Sequence, residues 1–156
     1  FDLHVPAPDP TIYVAATCRA DPQHAPAGML NLFVLVNAPA TGRVDWPREA
    51  QAYRDLIVRR LEAYGLADLG ASIVTEQILT PADLGALTNA RRGALYGPAS
   101  HGLQAAFLRP GNQPKGLRGL ALVGGATHPG GGIPLVLLSG KAGATWALES
   151  LEKNRR

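Results

Sequence analysis

The chain has 156 residues, of which 46% are hydrophobic and 17% charged, with a formal net charge of +3. Such a balance excludes a disordered acidic or basic tail and leaves enough apolar material for a core. One cysteine, Cys18, excludes an internal disulfide framework and any multi-cysteine metal site. Fifteen Lys and Arg are scattered and aromatics make up only 6%. The basic, aromatic-interleaved stripe of a nucleic-acid binder is therefore missing, and no nucleic-acid partner is expected.

The chain opens on Phe1 without a basic-then-apolar leader, so it reads as a cut piece of a longer protein. Residues 1–10 are proline-rich and predict an extended lead-in. Thr11 to Thr17 is β-branched and aromatic, a strand signal. Asp21 to Gly28 predicts a loop. Leu30 to Val36 is a near-continuous apolar run of strand length, the pattern of a strand covered on both faces. No apolar run reaches transmembrane length.

Asp45 is a candidate N-cap with Pro47 in the first turn. Ala50, Tyr53, Ile57, Leu61 and Tyr64 then mark one helical stripe, and Gly65 stands where a helix-ending glycine belongs. Arg54, Asp55, Arg59, Arg60 and Glu62 lie mainly off the stripe and are expected to be solvated. Ser72 to Leu79 predicts another strand. Thr80 and Asp83 have capping-box spacing, opening a short helix to about Thr88. Residues 93–116 are irregular, Leu117 to Val123 predicts a strand, and a helix follows from about Ile133 to Lys153. The order of elements predicts a mixed α/β fold.

Residues 120–143, LALVGGATHPGGGIPLVLLSGKAG, carry the chemical signal. An apolar segment runs into Gly124-Gly125, then a turn through Ala126, Thr127, His128 and Pro129. Gly130-Gly131-Gly132 lead into Ile133-Pro134 at a helix start. Glycines allow close backbone approach to a ligand. A helix N-terminus adds unpaired N–H groups and partial positive charge, which favour an anion or an electron-rich ring edge. Gly140 and Gly143 inside the helix predict that another backbone, or a flat ligand, packs close against that face. Glycines that only make turns are the plainer reading of the same residues. Neither the Walker-type phosphate loop nor the G-x-G-x-x-G fingerprint is present.

This stretch resembles the C-terminal flavin-contacting motif of the carotenoid (phytoene-type) desaturases, within the FAD-dependent amine oxidase-like flavoproteins. Asp9-Pro10-Thr11-Ile12-Tyr13, then Glu76, Thr80-Pro81 and Asp83-Leu84, then Phe107-Leu108-Arg109-Pro110 and Asn112, resemble other segments of the family. Gly93 to Gly97 and Ala99-Ser100-His101-Gly102 are similar to the hydroxycarotenoid 3,4-desaturase branch. The resemblance implies a Rossmann-like FAD domain woven with a mixed-sheet substrate domain. Residues 1–116 would belong to the substrate domain and 117–156 would return to the FAD domain. It implies FAD as cofactor, an acyclic carotenoid as substrate, and hydride transfer from a C–C bond to the flavin. The N-terminal FAD domain would be the missing partner. Peripheral membrane contact is implied by a substrate that lives in lipid; a cytoplasmic location is expected, and this piece alone is expected to be inactive. By the same resemblance, Gly124, Gly125, Thr127, His128, Gly131, Ile133 and Pro134 would line the ribityl and isoalloxazine side of the cofactor. Many relatives carry an acidic residue after the first glycine; here Gly125 stands there, so a backbone N–H replaces a carboxylate.

No catalytic residue is assigned. His128 could shuttle a proton beside the flavin or simply cap its turn. Arg109 could pair with a carboxylate, face the flavin, or tie down the long loop, the last being favoured. His24 and His101 lack ligand-spaced neighbours, so no metal is expected. Ser139 has no nucleophile-elbow motif around it. Cys18 reads as a small buried hydrophobe. A different class of function, a stand-alone ligand- or partner-binding α/β module without catalysis, fits the same residues.

Overall fold

The computed structural model describes residues 4–97 and 109–153. The resembling segment 99–102, with His101, and Phe107-Leu108 lie outside the described residues. The chain forms two compact units, Phe1–Gly93 and Ala94–Arg156. Both helix and strand are present, as a mixed fold requires.

In the first unit, β1 (Ile12–Ala15) pairs antiparallel with β2 (Phe33–Val36), in the register Ile12↔Val36 to Ala15↔Phe33. Tyr13 and Phe33 are diagonal neighbours on one face and meet edge-on, ring centroids 6.4 Å apart. Asp21 caps the turn Pro22–His24 by accepting from the Gln23 N–H at 3.0 Å. Cys18 Sγ accepts from the Asn31 N–H at 3.3 Å and is half-buried. Cys18 thus acts as a turn clasp, a correction to its reading as a buried hydrophobe. The two-sided cover expected for 30–36 is also absent: Phe33 is 55% exposed and Leu35 54%. A two-stranded ribbon buries little on its own.

The helix α1 (Trp46–Ala63) follows the expected stripe at Tyr53 and Leu61, both buried. Trp46, which the stripe omitted, is 3% exposed and lies against Tyr53. Asp45 makes no side-chain cap; its carbonyl accepts from Arg48 and Glu49 N–H instead. At the other end Gly65 has φ +108°, its N–H donates to Glu62 O, and the Leu66 N–H reaches back to Leu61 O. That pair of bonds is the Schellman ending. It turns the chain after Tyr64, which is therefore exposed and off the stripe.

Arg54 is not fully solvated: its guanidinium bonds Glu76 at 2.9 Å and Asp55 at 3.0 Å. The Glu76 bond anchors the segment that was expected to be a strand. Instead, α2 (Leu69–Ser72) is a single turn and 73–79 runs without a ladder. A strand needs a hydrogen-bonding neighbour, and the described residues offer none there. The α3 helix (Pro81–Thr88) begins as expected. Asp83 accepts from the Thr80 N–H at 2.8 Å and its own N–H donates to Thr80 Oγ1 at 3.3 Å, a complete capping box. The Thr80 hydroxyl, then its N–H, hold the Asp83 carboxyl below the usual aspartate range. Beyond α3, Gly93 at φ +68° lies against the Pro81 carbonyl, where a Cβ has no room.

In the second unit, α4 (Ile133–Lys153) has the expected bounds. The strand expected over 117–123 does not form among the described residues. The backbone N–H of Leu122 donates to Asn112 O at 2.9 Å and that of Leu117 to Pro114 O at 3.4 Å, bonds that form no ladder. Gly143 is buried against Val123 and Ala121, confirming close packing there. At Gly140 an added Cβ would meet nothing within 4 Å, so among the described residues the chain packs closely at Gly143 and not at Gly140.

Candidate functional site

The loop between residue 123 and α4 is built around one hydroxyl. Ser139 is fully buried, at 0% exposure. Its Oγ accepts from Asn112 Nδ2 at 2.9 Å and from the Gly124 N–H at 3.1 Å, and lies 3.1 Å from Thr127 Oγ1. Thr127 Oγ1 donates to Gly124 O at 3.0 Å. A hydroxyl has one donor and two acceptor positions. The Thr127 proton is spent on Gly124 O, so Ser139 donates to Thr127 and every position on Ser139 is filled. The bonds close a ring: Gly124 N–H to Ser139, Ser139 to Thr127, Thr127 back to Gly124 C=O. The Asn112 amide adds a bond to Leu122 O at 2.8 Å.

Other ties hold the rest of the loop. Arg109 Nη1 donates to Gly125 O at 2.7 Å, and its side chain lies beside Gly130. That geometry supports the loop-tie reading of Arg109. The His128 N–H donates to Pro110 O at 2.8 Å, and the His128–Pro129 peptide is cis. Tyr96 covers Gly131, with its Cδ1 3.3 Å from where a Cβ would stand. Gly124 and Gly132 have φ +114° and +103°, and an added Cβ at either meets nothing within 4 Å. The outer edge of the loop is therefore bare backbone, open to close approach.

The expected site residues fall into two groups. Gly124, Gly125, Gly131, Ile133 and Pro134 do come together on this loop and helix start. Ile133 is 80% exposed. Its N–H and that of Leu135 belong to the first turn, where helix geometry gives no internal acceptor, and Pro134 has no N–H. The His128 side chain is exposed. Thr127 differs: it is buried, and its hydroxyl points inward to the ring. Sequence reasoning missed Ser139 as the hub. The available signal was a polar residue within an apolar helix, four positions before Gly143 and thus on the same face. Among the described residues, no cluster of three or more His, Cys, Asp or Glu could hold a metal. No helix among them is long and apolar enough to cross a membrane.

The loop at the start of α4 is thus clamped by buried hydrogen bonds, with open space beside Gly124 and Gly132. Known proteins narrow the class. No protein-family model matches the chain. It is 39% identical over 147 residues to a phytoene desaturase (lycopene-forming) of Paracoccus sp. (strain N81106 / MBIC 01143), covering 93% of the chain and 29% of that protein. It is 41% identical over 133 residues to a 1-hydroxycarotenoid 3,4-desaturase of Flavobacterium sp. (strain P99-3), covering 85% and 27%. It is 38% identical over 146 residues to an all-trans-zeta-carotene desaturase of Myxococcus xanthus, covering 93% and 28%. The chain belongs to the carotenoid desaturase family, as a segment. It spans less than a third of the length of these relatives. The similarity covers most of the chain, which favours a segment of an enzyme over a stand-alone non-catalytic module.

Proposed function

We propose that the chain is the C-terminal portion of an FAD-dependent desaturase of acyclic carotenoids, within a Rossmann-like flavoprotein. Residues 1–116 would serve the substrate domain and 117–156 the FAD domain, with the pyrophosphate-binding part supplied by the rest of the polypeptide. The single observation that carries the cofactor reading is the loop 124–132. It is clamped from behind and bare in front, and it ends at a helix start. The residues fit FAD, since the positive-φ glycines Gly124 and Gly132 face open space. Gly124, Gly125, Gly131, Ile133 and Pro134 would hold the ring side of the cofactor, with His128 at the exposed rim and Thr127 contributing from behind. When bound, FAD supplies the hydride acceptor for a C–C bond that also loses a proton and becomes C=C.

The chain's own part is positional. Loop backbone approaches closely because no Cβ intervenes. The first-turn N–H groups of Ile133 and Leu135 favour electron density near them. The similarity to a 1-hydroxycarotenoid 3,4-desaturase supports the 3,4-branch as the substrate class. A substrate dissolved in lipid supports peripheral contact with the membrane, and we place the protein in the cytoplasm. The test is to purify the full-length protein, measure bound FAD, and incubate it with an acyclic 1-hydroxycarotenoid. Stoichiometric flavin and a product lighter by two hydrogens are expected. Absence of flavin, or an unchanged carotenoid with loaded enzyme and an added acceptor, would overturn the proposal.

A further inference from the structure

Thr127 invites a direct role in cofactor contact, yet its side chain faces the wrong way for one. We infer that Thr127, Ser139 and Asn112 are positioning residues that fix the Gly124 peptide, and through it the FAD-facing edge of the loop. This inference rests on the flavin reading above. Three features of the geometry carry it.

First, the ring of hydrogen bonds closes on a single residue. The Gly124 N–H goes to Ser139, and its C=O receives the Thr127 hydroxyl at 3.0 Å as well as the Thr127 N–H at 3.3 Å, so side chains reach both ends of the residue. Second, the hydroxyls lie in protected space: Ser139 is 0% and Thr127 7% exposed. There a missing partner is not replaced freely by water. Third, the carbonyls of both consecutive glycines are held, that of Gly124 by Thr127 and that of Gly125 by Arg109 at 2.7 Å. With those acceptors occupied, close approach at the bare edge meets the donor-rich start of α4 and not repelling carbonyls. A glycine at φ +114° moves freely without such restraint. The ring supplies the restraint that glycine lacks, and the loop is organised before the cofactor arrives.

The experiment uses the full-length protein, stripped of flavin and titrated with FAD. Thr127→Val keeps the side-chain shape and removes the hydroxyl; Thr127→Ser keeps the hydroxyl and removes a methyl. Asn112→Ala breaks the ring's outer support at a half-buried position and serves if Thr127→Val does not fold. At least a tenfold rise in FAD Kd is expected for Thr127→Val, with shifted flavin absorption bands, and near-complete return of both for Thr127→Ser. Thr127→Val with wild-type Kd and spectrum would overturn the positioning role. So would equal weakening by Val and Ser, because shape alone would then matter. A wild-type protein that binds no FAD would instead overturn the flavin reading on which the inference stands.

Discussion

Gly140 and Gly143 occupy the interior of the same helix, three residues apart, and the structure gives them opposite answers to one substitution. Glycine in a helix interior costs about 1 kcal/mol relative to alanine, so Ala at either position starts with that gain. At Gly140 the added Cβ meets nothing within 4 Å, and the gain stands. At Gly143 it overlaps Val123 Cγ1 and lies 3.7 Å from Ala121 Cβ. Valine is stiff about χ1, and overpacking of this kind costs about 1–3 kcal/mol. The propensity gain cancels between the variants, so Gly143→Ala should be about 1–3 kcal/mol less stable locally than Gly140→Ala. Amide exchange of α4 in the full-length protein reads that difference as about 5- to 150-fold faster exchange in Gly143→Ala. Adding Val123→Ala should remove most of the difference, the coupling expected of residues in contact. Equal exchange in the two single variants would refute the packing of α4 on residues 121–123.

Gly93→Ala should destabilise the first unit more than an ordinary exposed substitution, by about 2 kcal/mol or more, because it adds both φ strain and a clash with the Pro81 carbonyl; urea unfolding of the full-length protein checks it. Thr80→Ala should cost about 0.5–2 kcal/mol through loss of the cap at α3. The folded Asp83 carboxyl titrates below its ordinary value of 3.8, so its contribution is present above that value and is lost as pH falls through the folded value. Thr80→Ala should flatten that acid limb, which acid titration of the α3 signal measures. Ile133→Asp, at a position 80% exposed, should leave the fold intact but lower the midpoint potential of bound flavin. The helix-start interaction it opposes is worth about 0.3–2 kcal/mol, and an unchanged or raised potential in a redox titration would refute the electrostatic role of that start.

Helices were legible wherever their signals are local. Pro47 and Gly65 bracket α1, Thr80 and Asp83 open α3, and Ile133 to Lys153 is α4 residue for residue. Strands were legible only in part: Thr11 to Thr17 and Leu30 to Val36 contain β1 and β2, but a strand is defined by a neighbour that its own residues do not name. Residues 73–79 and 117–123 carry β-type composition but find no ladder among the described residues. Leu30 to Val36 reads as doubly covered, yet the structure shows a partly exposed ribbon. The site divides the same way. Its glycines and the helix start stand out along the chain. The ring that holds them joins Asn112, Gly124, Thr127 and Ser139 across 27 residues, and only folding brings those together.

In the complete protein, the loop 124–132 and the start of α4 should meet FAD. Amide exchange of the full-length protein, with and without saturating FAD, tests it most directly. Flavin should slow exchange in the peptide covering residues 122–136, with protection reaching Gly124, Gly125, Gly131 and Ile133. Stoichiometric FAD that leaves exchange in 122–136 unchanged would contradict it.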